Sequence, residues 1–327
     1  MSAFSDAEII HLAKTELVPV CADDWYQRRR TDAEGQFFKK IVAQGRRGPD
    51  AETHQGIYVF TPDGQLLSFG NAGFDANVTR SEIVQGLKKW KALPAERRQP
   101  GAMTVGPHGP VDPTYGRSPP PGGMIVRVHA RILDRVGTRY AKGTCEASGG
   151  DRAARDFLWL TADEVGQMAP AEPRVGYSYP LPAAVADRVL RFHLVDNTRG
   201  EPDAWDKDQV RSSALTLTVT AATPDSVSLR LDGEAVLATD ANLATASRGY
   251  EVKVHGELRY RPAKQTFDEF DVAALGDHWG VGTFTHTGAR PGRGLLGIAF
   301  GLADPTVPAD RVAPQGSREI NAYFGRS

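Results

Sequence analysis

The sequence predicts an α+β protein in two folded parts, on three observations. Helical apolar spacing alternates with a hairpin signal over residues 1–93. Proline and glycine then crowd residues 94–123, and from 124 to 327 short runs alternate apolar and polar side chains at strand spacing.

In the first part, Ser5-Asp6-Ala7-Glu8 reads as a capping box, a hydroxyl and a carboxylate reciprocally satisfying free N–H groups, and opens a helix burying Ile9, Leu12 and Ala13. Leu17-Val18-Pro19-Val20-Cys21 reads as a brief apolar strand. Thr31-Asp32-Ala33-Glu34 is a second box, leading Phe37, Phe38, Ile41 and Val42 at helical spacing. Gly56–Phe60 and Gln65–Phe69 flank Thr61-Pro62-Asp63-Gly64, a hairpin signal. Thr79-Arg80-Ser81-Glu82 is expected to cap a last helix with Ile83, Val84, Leu87 and Trp90 on its inner face.

Residues 94–123 read as a linker that prefers extended polyproline conformations, punctuated by Pro100, Pro107, Pro110, Pro113 and Pro119-Pro120-Pro121. Beyond it come expected strands at Met124–Leu133, Leu190–Val195, Ala214–Ala222, Ser226–Ala238, Tyr250–Tyr260, Thr266–Leu275 and Leu295–Leu302. Such a set suits a barrel or sandwich. Helices are expected after the box Thr161-Ala162-Asp163-Glu164 and over Pro182–Val189.

A formal net charge of −1 gives no reason to expect nucleic acid or an anionic membrane as partner. No run approaches the ~18 apolar residues of a membrane helix, and the N-terminus lacks the basic and apolar regions of a secretory leader. With only Cys21 and Cys145, a disulfide scaffold and CxxC-type zinc are excluded and a reducing cytoplasm is the expected location. The remaining partner is a small molecule or another protein.

The order of strand Leu17–Cys21, helix, hairpin Gly56–Phe69 and amphipathic helix Thr79–Lys91 resembles the thioredoxin superfamily. Two departures stand out. The strand-to-helix junction reads Cys21-Ala22-Asp23-Asp24-Trp25, without the second thiol, and Thr53-His54-Gln55-Gly56 precedes the hairpin without the family's cis-proline. The chain also resembles an uncharacterised bacterial family of thioredoxin-like proteins in the runs CADDWYQRRRTDAEGQFF, HQGIYVFTPDGQLL, RFHLVDNTRGEP and DVAALGDHWG. That resemblance implies the fold and no particular activity.

Cys21 has two readings, a small half-buried core residue or a functional thiol favoured as thiolate by a helix N-terminus. Asp23 and Asp24 oppose the thiolate, while Arg28, Arg29 and Arg30 favour it. Those charges can equally form a structural ion-pair cluster. The resemblance places His54 near Cys21, as a base or second ligand, against the plainer reading of a solvated loop histidine. Cys21, Asp23, Asp24 and His54 are thus the catalytic candidates, and Trp25, Tyr26, Arg28, Arg199 and Trp279 the substrate-binding ones.

In the second part, His193-Leu194-Val195-Asp196-Asn197-Thr198-Arg199-Gly200-Glu201 and Gly276-Asp277-His278-Trp279-Gly280 end expected strands in polar turns, where β domains carry sites. His278 and His286 are separated by about 26 Å along a strand and cannot share an ion. His193 and His278 on adjacent strands, with Asp196, Glu201 or Asp277, would suit zinc, iron or copper. Asn197–Pro202 reads equally well as a hydrogen-bonded turn, with Trp205 as a packing anchor. Arg290-Pro291-Gly292-Arg293-Gly294 lacks the strand-to-helix context of a phosphate loop. The expected function is an oxidoreductase or metal-dependent enzyme, not a CxxC disulfide oxidoreductase, with its site where the two parts meet. The alternative is a non-catalytic binding or scaffold module.

Overall fold

Aspartates, rather than hydroxyls, start the helices of the N-terminal third. The computed structural model of the chain describes residues 3–71, 75–136, 139–142, 153–285 and 292–326, in two units, Met1–Arg117 and Ser118–Ser327. In α1 (Ala7–Thr15), Asp6 accepts from the N–H groups of Glu8 and Ile9, both at 3.1 Å. Asp23 caps α2 (Asp24–Gln27), Asp32 caps α3 (Ala33–Val42) and Asp75 caps α4 (Ala76–Ala92). The expected caps at Ser5 and Thr31 are therefore one residue early, and Thr79 lies buried inside α4. A carboxylate also answers the positive end of the helix dipole, which a hydroxyl does not.

Strands β1 (Ile57–Phe60) and β2 (Leu66–Gly70) form the expected antiparallel hairpin, whose turn uses Gly64 at φ +83°. Helix α4 lies against it. A Cβ at Gly86 would come within 2.6 Å of Val59 Cβ, and Ser68 Oγ donates to Glu82 O at 2.6 Å. Ile83 and Leu87 of α4 pack with Ala3 and Ile9, whereas Val84 is exposed. Leu17–Cys21 forms no strand: Val18 and Val20 are 90% and 74% exposed. Pro19, at its centre, has no N–H for a ladder.

The second unit is dominated by one antiparallel sheet of nine strands. In chain order they are β3 (Met124–Val136), β4 (Arg139–Lys142), β5 (Ala153–Leu160), β6 (Ser178–Pro180), then, past the two-residue β7 (Gly200–Glu201), β8 (Val210–Thr223), β9 (Ser226–Ala238), β10 (Gly249–Arg261), β11 (Thr266–Trp279) and, past β12 (Phe284–Thr285), β13 (Gly294–Leu302). Across the sheet they run β4, β3, β13, β11, β10, β9, β8, β6, with β5 also on β3, while β7 pairs β12 separately. Among the described residues no ladder joins the β5 edge to β6 and no second large sheet faces this one. The expected barrel or sandwich is instead an open sheet.

Its side chains obey the two-residue period. Val252, Val254 and Leu258 of β10 and Phe270, Val272 and Ala274 of β11 face the core, with Lys253, His255, Glu257 and Asp271 outward. Against that face pack Val165 and Met168 of α5 (Ala162–Met168) and Val185 of α6 (Ala183–Arg188). Helix α5 starts in the expected capping box of Thr161 and Glu164. The expected strand Leu190–Val195 is helical: α6 continues into a π-helical turn, Val189–His193, closed by Leu194 N–H donating to Val189 O at 2.9 Å. Leu190 and Leu194, four residues apart, both enter the core. A one-turn helix α7 (Ile320–Tyr323) follows Gln315–Glu319. No helix among the described residues is long and apolar enough to cross a membrane.

Within the first unit, part of the proline- and glycine-rich stretch is pinned. The Asp112 carboxylate accepts from Thr31 N and Oγ1 at 2.9 and 2.8 Å and from the N–H groups of Thr114 and Tyr115, both at 2.8 Å. Asp112 N–H donates to Asp32, which Arg30 grips through two nitrogens. These donors, the Thr31 N–H foremost and then that of Tyr115, hold the Asp112 carboxyl down at about 2. A folded pKa below the ordinary 3.8 means the contribution is present above 3.8 and is lost as pH falls towards about 2. We expect Asp112→Asn to flatten the loss of first-unit stability across that window, read by circular dichroism melts between pH 5 and pH 2. An unchanged pH slope would show that Asp112 does not anchor the segment.

Candidate functional site

The first-unit candidates are scattered over separate structural tasks. Cys21 is exposed in the unpaired stretch, so it is not a half-buried core residue. Asp23 caps α2 through Trp25 N–H at 2.8 Å. Asp24 Oδ2 accepts from Thr53 Oγ1 at 2.9 Å and His54 N–H at 3.1 Å, and lies 3.9 Å from Arg28 Nε. Arg28 also donates to Glu52 O, while Arg30 turns to Asp32 and Glu34 rather than Asp23 or Asp24. Trp25 packs edge-on to Tyr26 and Tyr115 with Arg29 over its ring at 4.2 Å, and Arg117 lies over the buried Tyr26.

His54 is buried, 4% exposed, not a solvated loop residue. Its Nε2 meets Gly48 O at 3.1 Å and its ring meets Phe38 edge-on, so its partners are not Cys21. Burial pushes the imidazole below its ordinary pKa, against the pull of Asp24. This histidine fastens the loop before the hairpin. The structure gives no thiol–imidazole pair here.

In the second unit the two histidines go to different places. His193, on the π turn rather than a strand, has a fully buried side chain. Tyr323 Oη accepts from Trp159 N–H at 3.2 Å and lies 2.9 Å from His193 Nε2. His193 Nδ1 lies 3.3 Å from Asp156 Oδ2. Arg188 donates to Tyr323 O at 2.7 Å, to Trp159 O at 2.9 Å and to Glu164 Oε2 at 2.8 Å. With Gln315 N–H donating to Asp156 Oδ1 at 3.0 Å, the network fastens the C-terminal segment to β5 and α6. It is a structural clamp.

His278 stands elsewhere. Its place on β11 shares the parity of Phe270, Val272 and Ala274, so it points inward, edge-on to Tyr250 of β10 at 5.9 Å. The loop after the π turn brings Asp196 to it. Asp196 Oδ1 accepts from Thr198 N–H at 2.9 Å and Oγ1 at 2.6 Å, and Arg199 Nε donates to Oδ2 at 2.6 Å. Burial alone would raise the Asp196 carboxyl, but His278, Arg199 and the Thr198 hydrogen bonds hold it below the ordinary range. Arg199 Nη2 donates to Gly280 O at 2.7 Å, which ties the two polar turns together.

These groups line a cramped recess with room for little more than a water-sized group, bounded by Asp196, Arg199, Trp205, Arg248, His278 and Thr285. Trp205 is buried, donates to Leu194 O at 2.9 Å and carries the Arg248 guanidinium over its ring at 3.9 Å. Arg248 donates to Asp203 O at 2.9 Å and Ala204 O at 3.2 Å, and burial lowers its pKa. The Arg199 side chain is 3% exposed, and its Nη1 has no hydrogen-bond partner.

Of the four residues expected to share a metal ion, only Asp196 and His278 meet. His193 belongs to the clamp and Glu201 pairs with Arg318. Among the described residues no three His, Cys, Asp or Glu side chains are placed to hold a metal ion. Trp279 is a packing residue, its Nε1 donating to Ala246 O at 2.9 Å beneath Arg293. Cys145, His286, Arg290 and Pro291 lie outside the described residues. Arg248, Thr285, Asp156 and Tyr323 escaped the sequence reading, since none sits in a motif. Comparison with protein-family models, with curated proteins and with solved structures gives no match.

Asp196 compensates positive groups in a buried place, where removing one partner costs about 3–5 kcal/mol. We expect Asp196→Ala to lower the second unit's unfolding free energy by about that amount in urea titrations, with Glu201→Ala, at a more exposed pair, costing about 1 kcal/mol or less. Equal effects would show that Asp196 is not a buried counter-charge.

Proposed function

We propose that the chain is a non-catalytic binding protein and that the recess of the second unit receives the polar end of a small ligand. The observation that carries this reading is Arg199 Nη1, a charged donor without a partner on a side chain 3% exposed. Burying such a donor unmatched costs free energy that a ligand acceptor would recover. Asp196 and Arg199 come from the run RFHLVDNTRGEP and His278 from DVAALGDHWG, and rigid backbone holds them: β11 carries His278, and the Asp196 turn fixes Arg199.

The redox reading has one supporting observation, the exposure of Cys21, which leaves the thiol accessible to a reagent or partner. Nothing gathers a base or a second ligand around it among the described residues, so binding is the better-supported function. A dithiol-free thioredoxin-like scaffold for the first unit draws support from the β1–β2 hairpin backed by α4. The unpaired Leu17–Cys21 stretch counts against it.

Thermal-shift measurements over a panel of metabolite-sized acids, amines and neutral polar compounds test the binding reading. A ligand at a hundred times its Kd adds about 2.7 kcal/mol, which raises Tm by roughly 5–10 °C for a unit of this size. We expect at least one compound to do this in the wild type and to lose the effect in Arg199→Gln. A panel without a single stabilising compound would end the proposal.

A further inference from the structure

One wall of the recess is built differently from the rest. Gly282 and Thr285 belong to it, within the stretch 280–285, which buries no side chain: Val281, Thr283 and Phe284 are exposed and the other three residues half-buried. Hydrogen bonds hold this wall. β12 meets β7 in a ladder of two residues, apart from the nine-stranded sheet. The Asp203 carboxylate accepts from Thr283 N–H at 2.6 Å and from Thr283 Oγ1 at 3.0 Å. Thr285 Oγ1 accepts from Gly282 N–H at 2.9 Å, a bond within the stretch itself. The facing side is fixed. Trp205 is buried, and the Arg248 guanidinium over it donates to Asp203 O and Ala204 O and feels the charges of Asp203 and Asp206. Just before the stretch, Trp279 is tied to Ala246 O. Gly280 then takes φ +83°, and a Cβ there would stand 2.1 Å from Ser247 O.

We infer that residues 281–285 are a lid, hinged at Gly280 and latched by Asp203, and that a ligand's polar end enters the recess when the latch opens. This rests on the binding reading above and says how that site is reached. The recess has room for little more than a water. An acceptor attached to anything larger therefore needs a wall to move before it meets Arg199 Nη1. Of the lining segments, the lid is the one that carries no buried side chain of its own. Opening it exchanges the two Asp203 bonds and a short ladder for bonds to water, the kind of cost at which segments open locally while the core stays folded. Gly280 O accepts from Arg199 Nη2 at 2.7 Å, so the hinge is fixed to the cluster of Arg199, Asp196 and His278, which stays assembled as the lid moves.

The experiment measures carbethoxylation of His278 by diethyl pyrocarbonate in the full-length protein, read by mass spectrometry of proteolytic fragments. The reagent is larger than the closed recess, so His278 reacts while the lid is open. His193, whose side chain is fully buried in the clamp of the same unit, reports global unfolding. We expect His278 to react at least about tenfold faster than His193. Asp203→Ala should speed His278 roughly tenfold further, with His193 unchanged. Thr283→Val keeps the N–H bond to Asp203 and loses the hydroxyl one, so it should give a smaller increase, and it carries the comparison should Asp203→Ala fail to fold. A compound that stabilises the protein in the thermal panel should slow His278. Equal rates for the two histidines, or a His278 rate that the variants leave unchanged, overturns the lid and leaves the binding reading standing. A stabilising compound that leaves the His278 rate unchanged binds elsewhere and overturns the lid as the way in. A panel that stabilises nothing removes the binding reading, and the lid with it, whatever the His278 rates.

Discussion

The side-chain period of the open sheet constrains everything else in the second unit. A strand that buries one face commits each alternate residue to the core, whatever its chemistry. On β10 and β11 that rule carries in valines, phenylalanines and a leucine, and it also carries in Tyr250 and His278. The phenol resolves its position by donating to Leu296 O at 2.8 Å. The imidazole meets Asp196 instead, delivered by a loop on the other side of the core. One inward polar residue on a strand thus demands a partner elsewhere in the chain, and the polar recess grows from that demand.

The helical layer answers the same constraint. Arg188 is buried on α6, but its N–H groups are directed at fixed acceptors, both oxygens of Glu164 and two carbonyl oxygens, and its guanidinium lies over the rings of Tyr323 and Phe324. Replacing a matched buried ion pair by apolar residues is often neutral, whereas breaking it leaves a buried charge, so such a pair makes the arrangement specific more than it makes it strong. Here specificity means that the last turn, Ile320–Tyr323, has one docking position. Tyr323 supplies both its hydroxyl and its carbonyl to that end.

How much was legible in the sequence depended on whether the signal was local. The hairpin at Thr61–Gly64, the Thr161 box and the strands β8 to β11 came from neighbouring residues, and they stand. Ser-Asp and Thr-Asp each offered two caps in succession, and only the geometry shows the carboxylate chosen. Leu190–Val195 satisfied both periods, with Leu190, Phe192 and Leu194 at strand spacing and Leu190 and Leu194 at helix spacing. A run of six cannot separate the two. The inward face of His278 could be read from Phe270, Val272 and Ala274. Its partner could not: Asp196 lies far away in sequence, and only the fold joins them.

Both buried polar networks leave a donor unmatched, and the difference between those donors separates a clamp from a candidate site. In the first, Trp159 Nε1 has no acceptor. A neutral indole N–H left that way costs about 1–3 kcal/mol, which a core of this size tolerates. In the second the unmatched donor belongs to the guanidinium of Arg199, for which the penalty is larger. The binding proposal rests on that difference, because a charged donor at the edge of a recess has more to gain from an outside acceptor than a neutral indole within a core.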